Sequence, residues 1–261
     1  MQKGFIFDLD GTVYVDNNLI DGAATVIKKL KELGHKVVFL TNKSIESISA
    51  YVKKLNRLGI KVNEQDVINS NYLVARYLKL KIEKSEKVMV IGEQPLYDKL
   101  LSMDISVSDN YQEVSYVVLG WDRNFTYNKL NNAFQAWNNG AKIIATNPDR
   151  TCPVNGGQVP DCGAMIGAME GATGDKVDVI LGKPSQQAAQ FIVDEILNLP
   201  SNQCYMVGDR LETDIKMGVD YGIHSVLVLT GITDKNMLMQ SCYKPTFVLN
   251  SIKEIIDIIK D

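Results

Sequence analysis

Short apolar runs without alternation, each ending in polar residues or glycine and most followed by a helical pattern, constrain this chain more than any other feature. FIF at 5–7 opens the series. KVVFL at 36–40, KVMVIG at 87–92, YVVLGW at 116–121, KIIATN at 142–147, VDVIL at 177–181, QCYMV at 203–207 and SVLVL at 225–229 continue it. A strand covered on both faces reads this way, whereas a half-exposed strand alternates apolar with polar residues. Residues 21–33 and 44–58 carry apolar side chains at helical spacing and stop at Gly34 and Gly59, as glycine-terminated helices do. Residues 70–80, 127–138, 164–172 and 186–197 read as further helices, 66–69 as a short strand and 246–249 as an edge strand before a closing helix. The polar, Gly-rich stretch 148–163 reads as a loop. Strands alternating with helices throughout argue an α/β architecture. Because the alternation restarts near Glu83, the strands are expected to divide between two sheets.

Composition removes several function classes. The 261 residues are 45% hydrophobic and 23% charged, enough for a full core, and the net charge of −3 gives no electrostatic basis for binding nucleic acid. No eighteen-residue apolar run exists, so no membrane span is expected, and Asp8 and Asp10 interrupt the first apolar run, unlike a secretory signal. The four cysteines (Cys152, Cys162, Cys204, Cys242) form no close CxxC pair and only two histidines are present, which disfavours zinc and suits reduced thiols in a cytoplasmic protein. His35 and His224 both precede predicted strands, at the end away from any strand-end site. No serine stands in a G-x-S-x-G elbow.

Ligands of parallel α/β sheets sit beyond the carboxyl ends of the strands. The first strand ends in Asp8-Leu9-Asp10-Gly11-Thr12, the second in Thr41-Asn42, a later one in Gly182-Lys183-Pro184, and another in Gly208-Asp209-Arg210 followed by Asp214. In an extended segment Asp8 and Asp10 point to one face, about 7 Å apart along the chain. Three carboxylates near one point require a cation to share a site. Mg²⁺ prefers about six hard oxygen ligands and usually keeps several waters. A lysine and a hydroxyl beside it would hold phosphoryl oxygens, and an aspartate could attack phosphorus while a second acid two residues on moves protons. Bland readings compete at single positions. Asp214 stands near a helix start, where a carboxylate is favoured anyway, and Thr41-Asn42 could cap the following helix. Gly182-Lys183 is not a Walker loop, since Val177 stands where that loop needs glycine.

DLDGTVY, LTN, LGKPS and VGDRLETDI occur in the order found in the haloacid dehalogenase (HAD) superfamily, and the chain resembles its NagD-like, subclass IIA phosphatases over essentially its whole length. The resemblance implies a doubly wound, Rossmann-like parallel-sheet core of residues 1–82 plus 177–261, with an α/β cap of residues 83–176 inserted for substrate specificity. It implies Asp8 as nucleophile and Asp10 as general acid/base, with Asp10 also offering its backbone carbonyl to Mg²⁺. Thr41 and Asn42 would bind the phosphoryl group, Lys183 would balance its charge, and Asp209 and Asp214 would complete the metal shell. Asn147 and Asp149, with Asp161 and Cys162 of a second cap loop, would meet the leaving group. Two departures bear on the substrate: Lys43 where TNNS is common, and Pro160-Asp161-Cys162-Gly163-Ala164 where a Gly-rich turn is common.

The expected activity is Mg²⁺-dependent hydrolysis of a small phosphorylated metabolite through an aspartyl-phosphate. Sugar phosphates come first, with phosphoglycolate, nucleoside monophosphates and pyridoxal phosphate within the same chemistry. A metal-free dehalogenase has no use for Asp10 and the Asp209 cluster. A phosphomutase shares the core motifs but is disfavoured by the cap position. A catalytically silent metabolite-binding protein fits poorly with intact Asp8, Asp10, Lys183 and Asp209. Several members of the family form dimers through the cap, which makes a homodimer the partner to test. The hinges of cap motion would lie near Glu83 and Lys176.

Overall fold

The computed structural model describes residues 1–154 and 156–259. By backbone contacts the chain divides into two compact units. The first comprises residues 1–41, 48–68 and 183–261, and the second residues 42–47 and 69–182.

The first unit is built on a six-stranded sheet in the order Phe247–Leu249, His224–Val228, Cys204–Gly208, Gly4–Phe7, Lys36–Thr41, Val67–Asn69. Gly4–Phe7 lies inside it and pairs in parallel on both sides, Phe7 opposite Val207 and Phe39. All four of its residues are buried, as the run without alternation requires. Phe5 stacks on Tyr205 with ring centroids 5.0 Å apart, and Phe7 tilts against Phe39 at 6.1 Å. The Ala23–Glu32 helix lays Val26, Ile27 and Leu30 on the same core. Each such side chain taken fully out of water contributes about 1.5–3 kcal/mol. This packing fixes the strand whose end carries Asp8.

The second unit holds a four-stranded sheet, Val179–Ile180, Lys142–Ala145, Tyr116–Leu119 and Val88–Ile91, with parallel pairing throughout. The helices Tyr127–Asn138 and Cys162–Thr173 cover it, bringing Ala133, Ala136, Ile166 and Met169 onto Val117, Leu119 and Ile143.

Four features depart from the sequence reading. The run at 177–181 was expected to begin the return to the core; its strand is only Val179–Ile180, and it pairs with Ile144 and Ala145 of the second sheet. Asp178 starts that pairing by bracketing Ile143, its N–H donating to the Ile143 carbonyl and its carboxylate accepting the Ile143 N–H. The pairing runs on to Gly182, whose N–H donates to the Thr146 carbonyl, so the division falls at 182/183 rather than 176/177. The Ser70–Lys81 helix packs on Gln94–Leu101 and goes with the second unit, which moves the other boundary from 82/83 to 68/69. The helix expected at 44–58 starts only at Ile48, because Ser44 is committed to long-range bonds: its Oγ accepts the Trp121 N–H and its carbonyl accepts the Asn71 amide. The stretch 148–163 contains an antiparallel hairpin, Thr151–Val154 with Gly157–Pro160.

Candidate active site

In the first unit the side chains of Asp8, Lys183, Asp209 and Asp214 converge. Asp8 follows Gly4–Phe7 and its own N–H donates to the Val207 carbonyl at 2.9 Å, which extends the parallel pairing by one residue. Its carboxylate Oδ1 pairs with Lys183 Nζ, and the same ammonium stands 2.7 Å from Asp214 Oδ1. Asp8, Asp209 and Asp214 each bring a carboxylate oxygen within 4.8 Å of the others. All four residues are buried. Three carboxylates, if all ionised, outnumber the one buried ammonium by two charges, and such a buried site demands further positive charge.

The protonation preferences record that demand. Burial raises the Asp8 carboxyl well above its ordinary range, with Lys183 opposing the rise and Asp214 and Asp209 adding to it. Burial and then the Asp214 charge push Asp209 up to about 6. For Lys183 burial alone would favour the neutral amine, but Asp214 and Asp8 more than offset it and hold the ammonium.

Asp209 is locked by its surroundings. Oδ2 accepts the Ile232 N–H at 2.7 Å, while Oδ1 is buried with no hydrogen-bond partner among the described residues. A buried carboxylate oxygen without a donor is expensive unless a cation takes the place of one. Gly11, at φ +87°, makes the close approach possible, for a Cβ there would lie 2.6 Å from Asp209 Oδ2. Thr230 Oγ1 donates to the Gly11 carbonyl at 2.7 Å and ties the two segments together. Hard oxygens, excess negative charge and an orphaned acceptor fit a divalent metal ion.

Asp10 stands apart from this cluster. Its Oδ2 accepts the hydroxyl of the fully buried Tyr14 at 3.5 Å, and Lys54 Nζ lies 3.6 Å from the centre of the Tyr14 ring. Thr41 is buried at the end of its strand. The sequence reading had not singled out Tyr14 or the loop of Thr230 and Ile232. A Thr-Gly pair after an apolar run is the signal available for the loop, and Tyr14 is the last residue of the DLDGTVY motif, whose role the motif alone did not give.

In the second unit, Asn42 Nδ2 donates to Asp149 Oδ2 at 2.9 Å, and Asn147 Nδ2 donates to the same oxygen at 3.0 Å. Asn147 is fully buried; it also donates to Asp161 Oδ1 at 3.2 Å and accepts the Thr146 hydroxyl at 2.7 Å. Asp161 is the N-cap of Cys162–Thr173 and accepts the Cys162 N–H at 2.5 Å. Cys162 departs from the expectation that it meets a leaving group. It has no exposed surface, packs in the core of this unit, and its thiol donates to the Leu119 carbonyl at 3.3 Å. Asp161, 4% exposed, is likewise spent on the helix start and on Asn147. Of the four cap residues named from the sequence, only Asp149 is half-exposed.

This arrangement is shared with known proteins. A family model described as haloacid dehalogenase-like hydrolase matches residues 5–106, and a second HAD-hydrolase-like model matches 180–255. The sugar-phosphatase AraL of Bacillus subtilis is 39% identical over 252 residues, covering 97% of this chain and 91% of that protein. The crystal structure of 4-nitrophenylphosphatase from Thermotoga maritima superposes with a TM-score of 0.92 at 34% identity, covering 98% and 97% of the two chains. NagD from Escherichia coli K-12 gives 0.87 at 27% identity, covering 97% and 98%. A parallel sheet that gathers one carboxylate, a lysine and two further carboxylates beside it is thus that of a phosphoric monoester hydrolase. The chain belongs to the haloacid dehalogenase-like hydrolases, and within them to the NagD-like phosphatases.

Proposed function

We propose that the chain hydrolyses a small phosphorylated metabolite, a sugar phosphate first of all, by way of an aspartyl-phosphate on Asp8. The buried pairing of Lys183 with Asp8 and Asp214 beside the orphaned oxygen of Asp209 carries this reading. Asp8 Oδ attacks phosphorus and the bond to the leaving oxygen breaks, while Asp10 gives that oxygen a proton. Asp10, now a carboxylate, takes a proton from water as it attacks the acyl-phosphate, which releases inorganic phosphate and restores Asp8. Lys183, Thr41 and Asn42 hold the phosphoryl oxygens as charge builds on them. Mg²⁺, held by Asp8, Asp209, Asp214 and the Asp10 backbone carbonyl, would neutralise phosphoryl charge when bound.

The similarity to AraL supports the sugar-phosphate class. The second unit acts in this reading as the cap that selects the leaving group. A cytoplasmic setting suits four free cysteine thiols, and no helix among the described residues is long and apolar enough to cross a membrane. A homodimer through the second unit would bury exposed apolar side chains such as Tyr127 and Leu101, and sedimentation tests it. The decisive experiment is a screen of phosphorylated metabolites with and without Mg²⁺. Release of phosphate that survives EDTA, or full turnover by Asp8→Asn, would sink the mechanism.

A further inference from the structure

We propose that Asp149 is a positioning residue for the Asn42 amide and makes no contact with the leaving group. The inference rests on the phosphatase reading, in which Asn42 holds a phosphoryl oxygen.

A carboxylate can only accept, so the contact with Asp149 Oδ2 fixes which end of the Asn42 amide is nitrogen. An amide carries two N–H donors in one plane. Committing one to Asp149 sets the direction in which the other lies. Other atoms of Asn42 are in contact as well. Its backbone carbonyl accepts the Ser70 hydroxyl at 2.6 Å, and its Oδ1 lies against Gly182, where a Cβ would come within 2.5 Å. Asp149 is itself anchored, since Asn147 donates to the same oxygen, and Asn147 is buried and bound to Thr146 and Asp161. Asp161 starts the Cys162–Thr173 helix. A chain of hydrogen bonds therefore runs from a helix N-terminus through the side chains of Asp161, Asn147 and Asp149 to Asn42. Asp149 Oδ2, shared between two amides, is engaged in a way that a residue waiting for a substrate hydroxyl would not be.

The two roles predict different kinetics. A leaving-group contact affects substrates unequally, whereas an orienter of Asn42 affects all of them, and inorganic phosphate as well. Asp149→Ala, Asp149→Asn, Asn42→Ala and the Asn42→Ala/Asp149→Ala pair would be compared with the wild-type enzyme in Mg²⁺. The substrates would be 4-nitrophenyl phosphate and sugar phosphates of two sizes, with inhibition by inorganic phosphate as a further readout. Asp149→Ala is expected to lower kcat/KM by about tenfold on every substrate and to weaken phosphate inhibition by a similar factor. Asp149→Asn, which keeps an acceptor oxygen for Asn42, should recover most of the loss. In the Asn42→Ala background, Asp149→Ala should cost nothing further. A loss that varies with the leaving group while phosphate inhibition is unchanged would overturn the proposal, as would additivity in the pair. A wild-type chain that releases no phosphate from any substrate would remove the phosphatase reading and this inference together, and that result is read before any variant is made.

Discussion

Lys183 Nζ lies 2.7 Å from Asp214 Oδ1 while the same ammonium pairs with Asp8, so one buried cation is shared by two carboxylates with different jobs. In the proposed mechanism Asp8 is the nucleophile, and Asp214 keeps Lys183 charged and aimed at it. Lys183→Met leaves the acidic cluster uncompensated. It should lower kcat/KM by about 10²-fold or more, as loss of a charge-stabilising donor does. It should also cost the metal-free protein several kcal/mol, on the order of the 3–5 kcal/mol seen when one partner of a buried pair is removed. Steady-state kinetics and thermal melts in EDTA check both effects, and wild-type turnover would exclude this role.

Asp209 gives a prediction of opposite sign. Its carboxyl is pushed up to about 6 in the folded chain, above the ordinary range near 4, so between those values the native state binds more protons than the unfolded one. This group therefore destabilises the metal-free fold at neutral pH, by on the order of 2–3 kcal/mol, and the penalty is relieved as pH falls through 6. The Asp8 shift acts in the same direction. Melts in EDTA should show stability rising from pH 7.5 to 5.5. Asp209→Asn should raise the Tm at pH 7.5, flatten that dependence and abolish stabilisation by Mg²⁺. A metal-free Tm that falls steadily over the same interval in wild type and variant alike would contradict the assignment.

Tyr14 allows a finer test. Its hydroxyl donates to Asp10 Oδ2 at 3.5 Å and its ring lies under Lys54, so Tyr14→Phe removes the donor and keeps the packing. A long hydrogen bond to the proposed acid/base should matter to turnover more than to binding. The expected result is a kcat about three- to tenfold lower, KM nearly unchanged and a melt within about 1 kcal/mol of wild type. A rise in KM with kcat preserved would show that Tyr14 shapes binding instead.

The sequence made the acidic cluster legible in part because Asp8 and Asp209 directly follow apolar runs that became neighbouring parallel strands, whose ends lie on one side of the sheet. Lys183 follows a strand of the other sheet and Asp214 stands in a helical segment, so strand-end logic alone did not place those two. Bonds between residues far apart in the chain were not legible. Ser44 is withheld from its helix by the Trp121 N–H, 77 positions on, and no local pattern announces that. The pairing of Val179–Ile180 was decided in the same way, by backbone partners in 143–146. The hairpin after Pro148 carried an Asn-Gly signal, hidden among prolines and glycines that also spell a loop. Cys162 was placed beside the leaving group by the resemblance alone, whereas here it has no exposed surface and packs in the core of its unit.

The cysteines test that burial directly. Cys162 is pushed up to about 12 by burial, with hydrogen bonds to its sulfur opposing, and Cys204 to about 11, also by burial first. A raised pKa leaves less thiolate at a given pH, so at pH 8 the reactive fraction of Cys162 is on the order of 10⁻⁴. Cys152 is buried too, while Cys242 is exposed. Titration of the native protein with an aromatic disulfide reagent should modify Cys242 quickly and the other three only on unfolding. Cys242→Ser should remove the fast phase and leave phosphatase activity intact. Rapid modification of Cys162 in the Cys242→Ser protein, read by peptide mass, would mean that the start of the Cys162–Thr173 helix opens in solution, and Asp161 and the network it anchors would then be mobile as well.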